Sequence, residues 1–112
     1  AFGAAIIAPQ GARGDVDYVI FNGLTLEDVE VGVEVTNTPG KGDVTKITEV
    51  EFTYVHGTVT TAAGRFTADS HNSFIVQLDN VEISPQQGAN GFYCSGGAKT
   101  SGTAQPPPPS PC

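Results

Sequence analysis

Valine occupies positions 29, 31, 33 and 35, and Glu30, Gly32, Glu34 and Thr36 fill the gaps. A two-residue alternation puts the apolar side chains on one face of a β-strand and the polar ones on the other. VTKITEVEFTYV repeats the pattern, with Val50, Phe52 and Tyr54 set against Glu49, Glu51 and Thr53. Ile47 is out of phase with that set, which predicts a bulge near Thr48. In FIVQLDNVEI, Phe74, Val76 and Leu78 keep one phase and Val81 and Ile83 the other, predicting a second bulge near Asp79-Asn80. DVDYVIFN, ending at the turn signal Asn22-Gly23, together with RFTA and GFYC, supplies shorter strands. No segment holds a 3.6-residue period over three turns, and no internal repeat of useful length is evident. With 14 glycines and 8 prolines, six to eight short strands predict an all-β fold: a single Ig-like β-sandwich, with a small barrel as the second choice. Val29, Val31, Val33, Val35, Phe52, Tyr54, Phe74, Val76 and Leu78 are its expected core.

The 112 residues suffice for one domain. Its expected parts are an N-terminal arm and hinge (1–14), the sandwich (15–94) and a Gly/Ser/Pro-rich tail (95–112). Twelve acids against five bases leave a net charge of −7. That balance argues against nucleic acid and anionic lipid, since no basic stripe is present to meet phosphates. No run approaches the roughly 20 apolar residues of a spanning helix. The first residue, Ala1, reads as the start of a mature chain whose leader has been removed. Cys94 and Cys112 fit no metal or redox spacing and read as one disulfide formed in an oxidising, extracellular compartment. Such a bridge is worth about 3 kcal/mol in the chain-entropy model. It would pin the tail back onto the domain. No N-linked sequon occurs, while the frequent threonines allow O-linked sugars.

Signals for chemistry are sparse. No GxSxG elbow or HExxH occurs. His56 ends a strand, and Asp69-Ser70-His71 are triad residue types, but sequence neighbours rarely face one another in triad geometry. No catalytic residue is expected, and the protein is not expected to be an enzyme. Asp15 and Asp17, Glu27-Asp28, Asp69 with Asn72, and Asp79-Asn80 are oxygen donors of the kind calcium takes. Without a coordination motif they read as wet strand faces and loop caps, so neither a metal site nor a cofactor is expected. Lys46 and Asn80, with Glu49 or Glu51 nearby, have the residue types of an intramolecular Lys–Asn cross-link, at a spacing that is not diagnostic.

The ends of the chain carry the functional expectation. In AFGAAIIAP both faces are apolar: Phe2, Ala4, Ile6 and Ala8 on one, Gly3, Ala5 and Ile7 on the other. Such a strand needs cover on both sides. It either folds back as the first strand of its own domain or adds to the sheet of a neighbouring copy, with Phe2, Ala4, Ile6, Ile7 and Ala8 as the assembly arm. Head-to-tail contacts of that kind do not close, and they build filaments. An apolar arm (1–9) before one β-domain (15–94) resembles the filament-forming pilins joined by donor strands. That resemblance implies an extracellular filament or surface-layer subunit that polymerises with copies of itself through its N-terminal strand. The disulfide within the sandwich and the end motifs of those pilins are missing here. The tail, Pro106, Pro107, Pro108, Pro109, Ser110 and Pro111, resembles the Ser-Pro-rich segments of hydroxyproline-rich extracellular-matrix glycoproteins. That likeness implies hydroxylated prolines carrying covalent glycans. The competing expectation is a secreted adhesion module whose loops, Thr38–Asp43 and Asp69–Ser73, bind carbohydrate or protein.

Overall fold

The computed structural model describes residues 2–8, 13–38, 45–69, 73–86, 88–109 and 112. Among them are six strands and no helix: β1 (Phe2–Ala8), β2 (Gly14–Asn37), β3 (Thr45–Ala68), β4 (Phe74–Pro85), β5 (Asn90–Ser95) and β6 (Ala98–Gln105). They form one sheet in the order β1-β2-β3-β4-β6, with β5 on the second half of β3. Every pairing is parallel. The all-β expectation therefore holds, and the structure departs from the Ig-like sandwich, whose strands pair antiparallel.

Geometry requires the strands to wind. Drawn straight at about 3.3 Å per residue, β2 alone would span roughly 80 Å, whereas the longest dimension of the molecule is 40 Å. The start of β3 lies beside the start of β2, not beside its end. Each long strand thus bends through corners into one coil, and the next coil stacks on it in parallel register. Tier one of the first side is the first half of β2, followed by the first half of β3, then β4 and β6; the other side stacks β1, the second half of β2, the second half of β3 and β5.

Stacking turns the alternation of single strands into columns. Val19, Val50 and Val76 align, as do Phe21, Phe52 and Leu78, and Leu24, Val55, Val81 and Ala104. On the other side Ile6, Val35, Phe66 and Cys94 align. The interior is an almost continuous aromatic stack: Phe21–Phe52, Phe52–Phe66 and Phe66–Phe92 have ring centroids 5.2, 6.4 and 6.0 Å apart, each near-parallel. Such pairs add about 0.5–1.5 kcal/mol each beyond the area they bury. The coils also pack closely where Gly32 faces inward; a Cβ there would meet the Ala63 carbonyl and the Leu26 and Ile83 side chains.

Corners explain where the alternation fails. Gly23, Tyr54 and Asn80 fall between aligned pairs, and all have left-handed backbone, with φ of 84°, 55° and 53°. Asn22-Gly23 is therefore a bend within one coil and not a hairpin turn. Tyr54, expected in the core, is 54 % exposed, because its left-handed backbone lets Val55 take the inward position. Leu78 and Val81 are both buried around Asn80, with a register shift against β6, as the second phase break predicts. Ile47 and Val50 are likewise both buried. The pairing of β2 with β3 keeps one offset through that break, from Val16–Ile47 to Tyr18–Glu49, so neighbouring coils share the bend. Of the other expected core residues, Val29 is half-buried and the rest are buried.

Two further readings of the sequence change. SGGAKTSGTAQ, in the expected Gly/Ser/Pro-rich tail, contains β6, a full member of the sheet. The chain is also a stack of similar coils, although no repeat is evident in its sequence. Aligned positions are separated by 31 residues in Gly14–Thr45, 26 in Glu49–Ile75 and 24 in Phe74–Ala98.

Val55→Asp is expected to unfold the protein, since an unpaired buried carboxylate costs several kcal/mol against a total of about 5–15. Tyr54→Asp is expected to be tolerated, because Asp adopts left-handed backbone readily. Urea unfolding of the two variants checks both outcomes. A strict two-residue alternation through Val50, Phe52 and Tyr54 predicts the reverse.

Candidate functional site: the two ends of the coil stack

The ends differ in what covers the core. Ala4, Ile6, Val16, Phe21, Leu24 and Val29 pack against the core yet stay partly exposed. All six belong to β1 or β2, the N-terminal tier. Among the described residues, β1 pairs only with β2, and the first half of β2 pairs only with β3. Their outer edges therefore present backbone groups of the kind that recruit another strand.

Each residue of the expected assembly arm has a place in this tier. β1 is paired in its own chain, Ala4 beside Val33, Ile6 beside Val35 and Ala8 beside Asn37. Ala8 is buried, Ala4 and Ile6 are half-buried, and Ile7 is exposed. Phe2 is 43 % exposed and lies under the Arg65 guanidinium, 5.9 Å from its ring centroid. Arg65 in turn donates from Nε to Glu34 Oε1 at 2.8 Å, which explains how the carboxylate of the Val/Glu strand comes to be buried. Ala1 and Pro9 lie outside the described residues.

The C-terminal tier is covered in part, on its β5 side. Cys94 stands at the end of the inward column that begins with Ile6, and it is joined to Cys112 with Cα atoms 5.2 Å apart. Both cysteines pack against the core. Pro106 sits over Gly91, where a Cβ would lie 3.1 Å from the proline ring. Pro106 to Pro109 have no N–H to give a sheet edge, and Cys112 N–H donates back to Pro109 O at 2.7 Å. The outer edge of β6 has no strand partner among the described residues. Ser110 and Pro111 of the expected glycan-bearing tail lie outside the described residues.

The ends also differ in charge. Gly14–Glu34 carries six acids and no base, whereas everything after Glu82 carries Lys99 and no acid.

Other expected chemistry is dispersed. Asp28 accepts from Thr58 Oγ1 at 2.8 Å and Gln86 Nε2 at 2.6 Å, tying three successive corners together. His56 Nε2 lies 3.1 Å from Asn80 O; His71 is outside the described residues, as are Ser70 and Asn72. Lys46 is beside Asp15, while Asn80 stacks at the Tyr54 corner, so the Lys–Asn pair is not brought together. No group of three or more metal-ligating side chains occurs among the described residues. Of the candidate ligand loops, Pro39–Asp43 lies outside the described residues. Among the described residues no helix is long and apolar enough to cross a membrane.

On the outer face, Tyr18 is perturbed. Tyr18 OH donates to Glu51 Oε2 at 3.1 Å. Loss of hydration by neighbouring atoms, that hydrogen bond and the charges of Glu51 and Glu49 together raise its pKa above the usual tyrosine value. No family model, curated protein or solved structure matches the chain.

A raised pKa in the folded state means that the tyrosine's contribution is intact below its unfolded pKa near 10 and is lost as pH climbs through the folded value. Phenolate absorbance should place one tyrosine, absent in Tyr18→Phe, at the alkaline end of the titration. Glu51→Gln should move it to lower pH. An unchanged midpoint in Glu51→Gln would contradict the contact.

Proposed function

We propose that the protein is a structural subunit of an extracellular filament or surface layer that grows by stacking copies end to end. The reading rests on one observation above the rest: the N-terminal tier leaves its strand edges unpaired and its inward side chains half exposed. A parallel coil stack has the same strand direction at both ends. A copy placed tail to head therefore continues the sheet, with β6 of one copy beside Gly14–Leu26 of the next.

Charge favours that polarity. Head-to-head contact sets two acidic tiers against each other; head-to-tail contact sets Lys99, in the column Tyr18–Glu49–Ile75–Lys99, near Asp15, Asp17 and Tyr18 of the following copy. The arm acts here as an added strand and not as an exchanged one, because β1 stays paired with β2 of its own chain. A heterologous contact of this kind propagates without closing. An oxidising compartment suits the disulfide, and glycans on the proline tail would lie at the joints.

Electron microscopy of the purified chain is expected to show unbranched filaments, diffracting at about 4.8 Å along their axis, the spacing between parallel strands. Lys99→Glu should slow their growth at low salt, and the difference should shrink at about 1 M salt, where screening reaches only ~3 Å. Particles that stay monomeric at every salt and protein concentration overturn the reading.

A further inference from the structure

Two residues of the tail, Pro106 and Cys112, contact β5, the last tier of the second side. On the second side the tiers run β1, β2, β3, β5, and the next strand to pair with β5 in a continued stack is β1 of the following copy. Pro106 at Gly91 and Cys112 at Cys94 bracket that place. We infer that the Gly91–Ser95 edge is the acceptor for the N-terminal strand of a second copy, and that the disulfide-held proline tail is its removable cover. This rests on the stacking reading and adds which surface receives the arm and what controls it.

Three features fit the tail to that task. Its four consecutive prolines, 106–109, offer no N–H groups that would lock them to an edge. The bond to Cys94 keeps the tail at a high effective concentration over its own edge, so an incoming arm competes with an intramolecular partner. Cys94 lies in the inward column Ile6–Val35–Phe66–Cys94, so an arriving β1 in the same register sets Ile6 against the last layer of the core. The occupant is a second copy because β1 is apolar on both faces and because the acidic N-terminal tier meets the acid-free C-terminal one.

The test compares the wild-type chain with Cys94→Ser/Cys112→Ser, using filament growth and binding of a labelled peptide spanning residues 1–14. The double variant is expected to nucleate filaments at a concentration at least about tenfold lower and to bind the peptide at least tenfold more tightly, a difference of ~1.4 kcal/mol. Should the double variant lose its β-sheet circular dichroism, four Gly/Ser residues inserted between Gln105 and Pro106 loosen the cover with the bond intact and should shift both readouts the same way. Equal growth and equal peptide binding in covered and loosened chains overturn the cover while leaving stacking in place. Folded chains that neither assemble nor bind the peptide in any form overturn both.

Discussion

Each coil of this chain is too thin to hold a core alone, and the molecule depends on the register with which one coil sits on the next. Stacked parallel strands lie about 4.8 Å apart, close to the distance at which side chains of one kind touch their counterparts in the next tier. Val19, Val50 and Val76 form one such column, and the near-parallel rings from Phe21 through Phe52 and Phe66 to Phe92 run through the interior. A slip of one residue would turn every one of these columns outward. The left-handed corners at Gly23, Tyr54 and Asn80 hold the register by forcing successive coils to bend at the same place.

The same constraint accounts for the ends. An internal tier receives backbone bonds and apolar cover from both neighbours, while a terminal tier receives them from one. The two ends meet that deficit differently. At the C-terminal end Pro106 contacts β5 at Gly91 and Cys112 is bonded to it at Cys94, contributing cover without pairing. At the N-terminal end Ile6, Phe21 and Leu24 remain partly exposed. The proposed joint between copies would supply what each end lacks, and the acids of the N-terminal tier facing Lys99 would give it a direction.

Strands were legible in the sequence because alternation is a local property. Val29 to Val35, the phase break at Asp79-Asn80 and the short strand GFYC all stand where the pattern places them. Pairing direction is not local, and Asn22-Gly23 reads equally as a hairpin turn or as a corner of a coil. Tyr54 was misplaced for the same reason: nothing in EFTYVHG marks a left-handed backbone at a tyrosine. The coil period is not legible because aligned residues share apolar character more than identity, as in Leu24, Val55, Val81 and Ala104, and because the offsets change from tier to tier. An apolar N-terminal strand and a bonded cysteine pair were legible. Their positions at opposite ends of one stack were not, since that follows from the winding.

Parallel in-register winding is the claim on which the fold, the ends and the proposed assembly all rest, and nuclear Overhauser contacts in an isotope-labelled sample test it most directly. The account predicts cross-strand backbone contacts that link Val19 to Val50, Val50 to Val76 and Val76 to Thr100. Those pairings should advance together, residue by residue, toward the C-terminus on every strand. Close Hα–Hα contacts between neighbouring strands, with partners that advance in opposite directions, are the mark of antiparallel pairing and would contradict it.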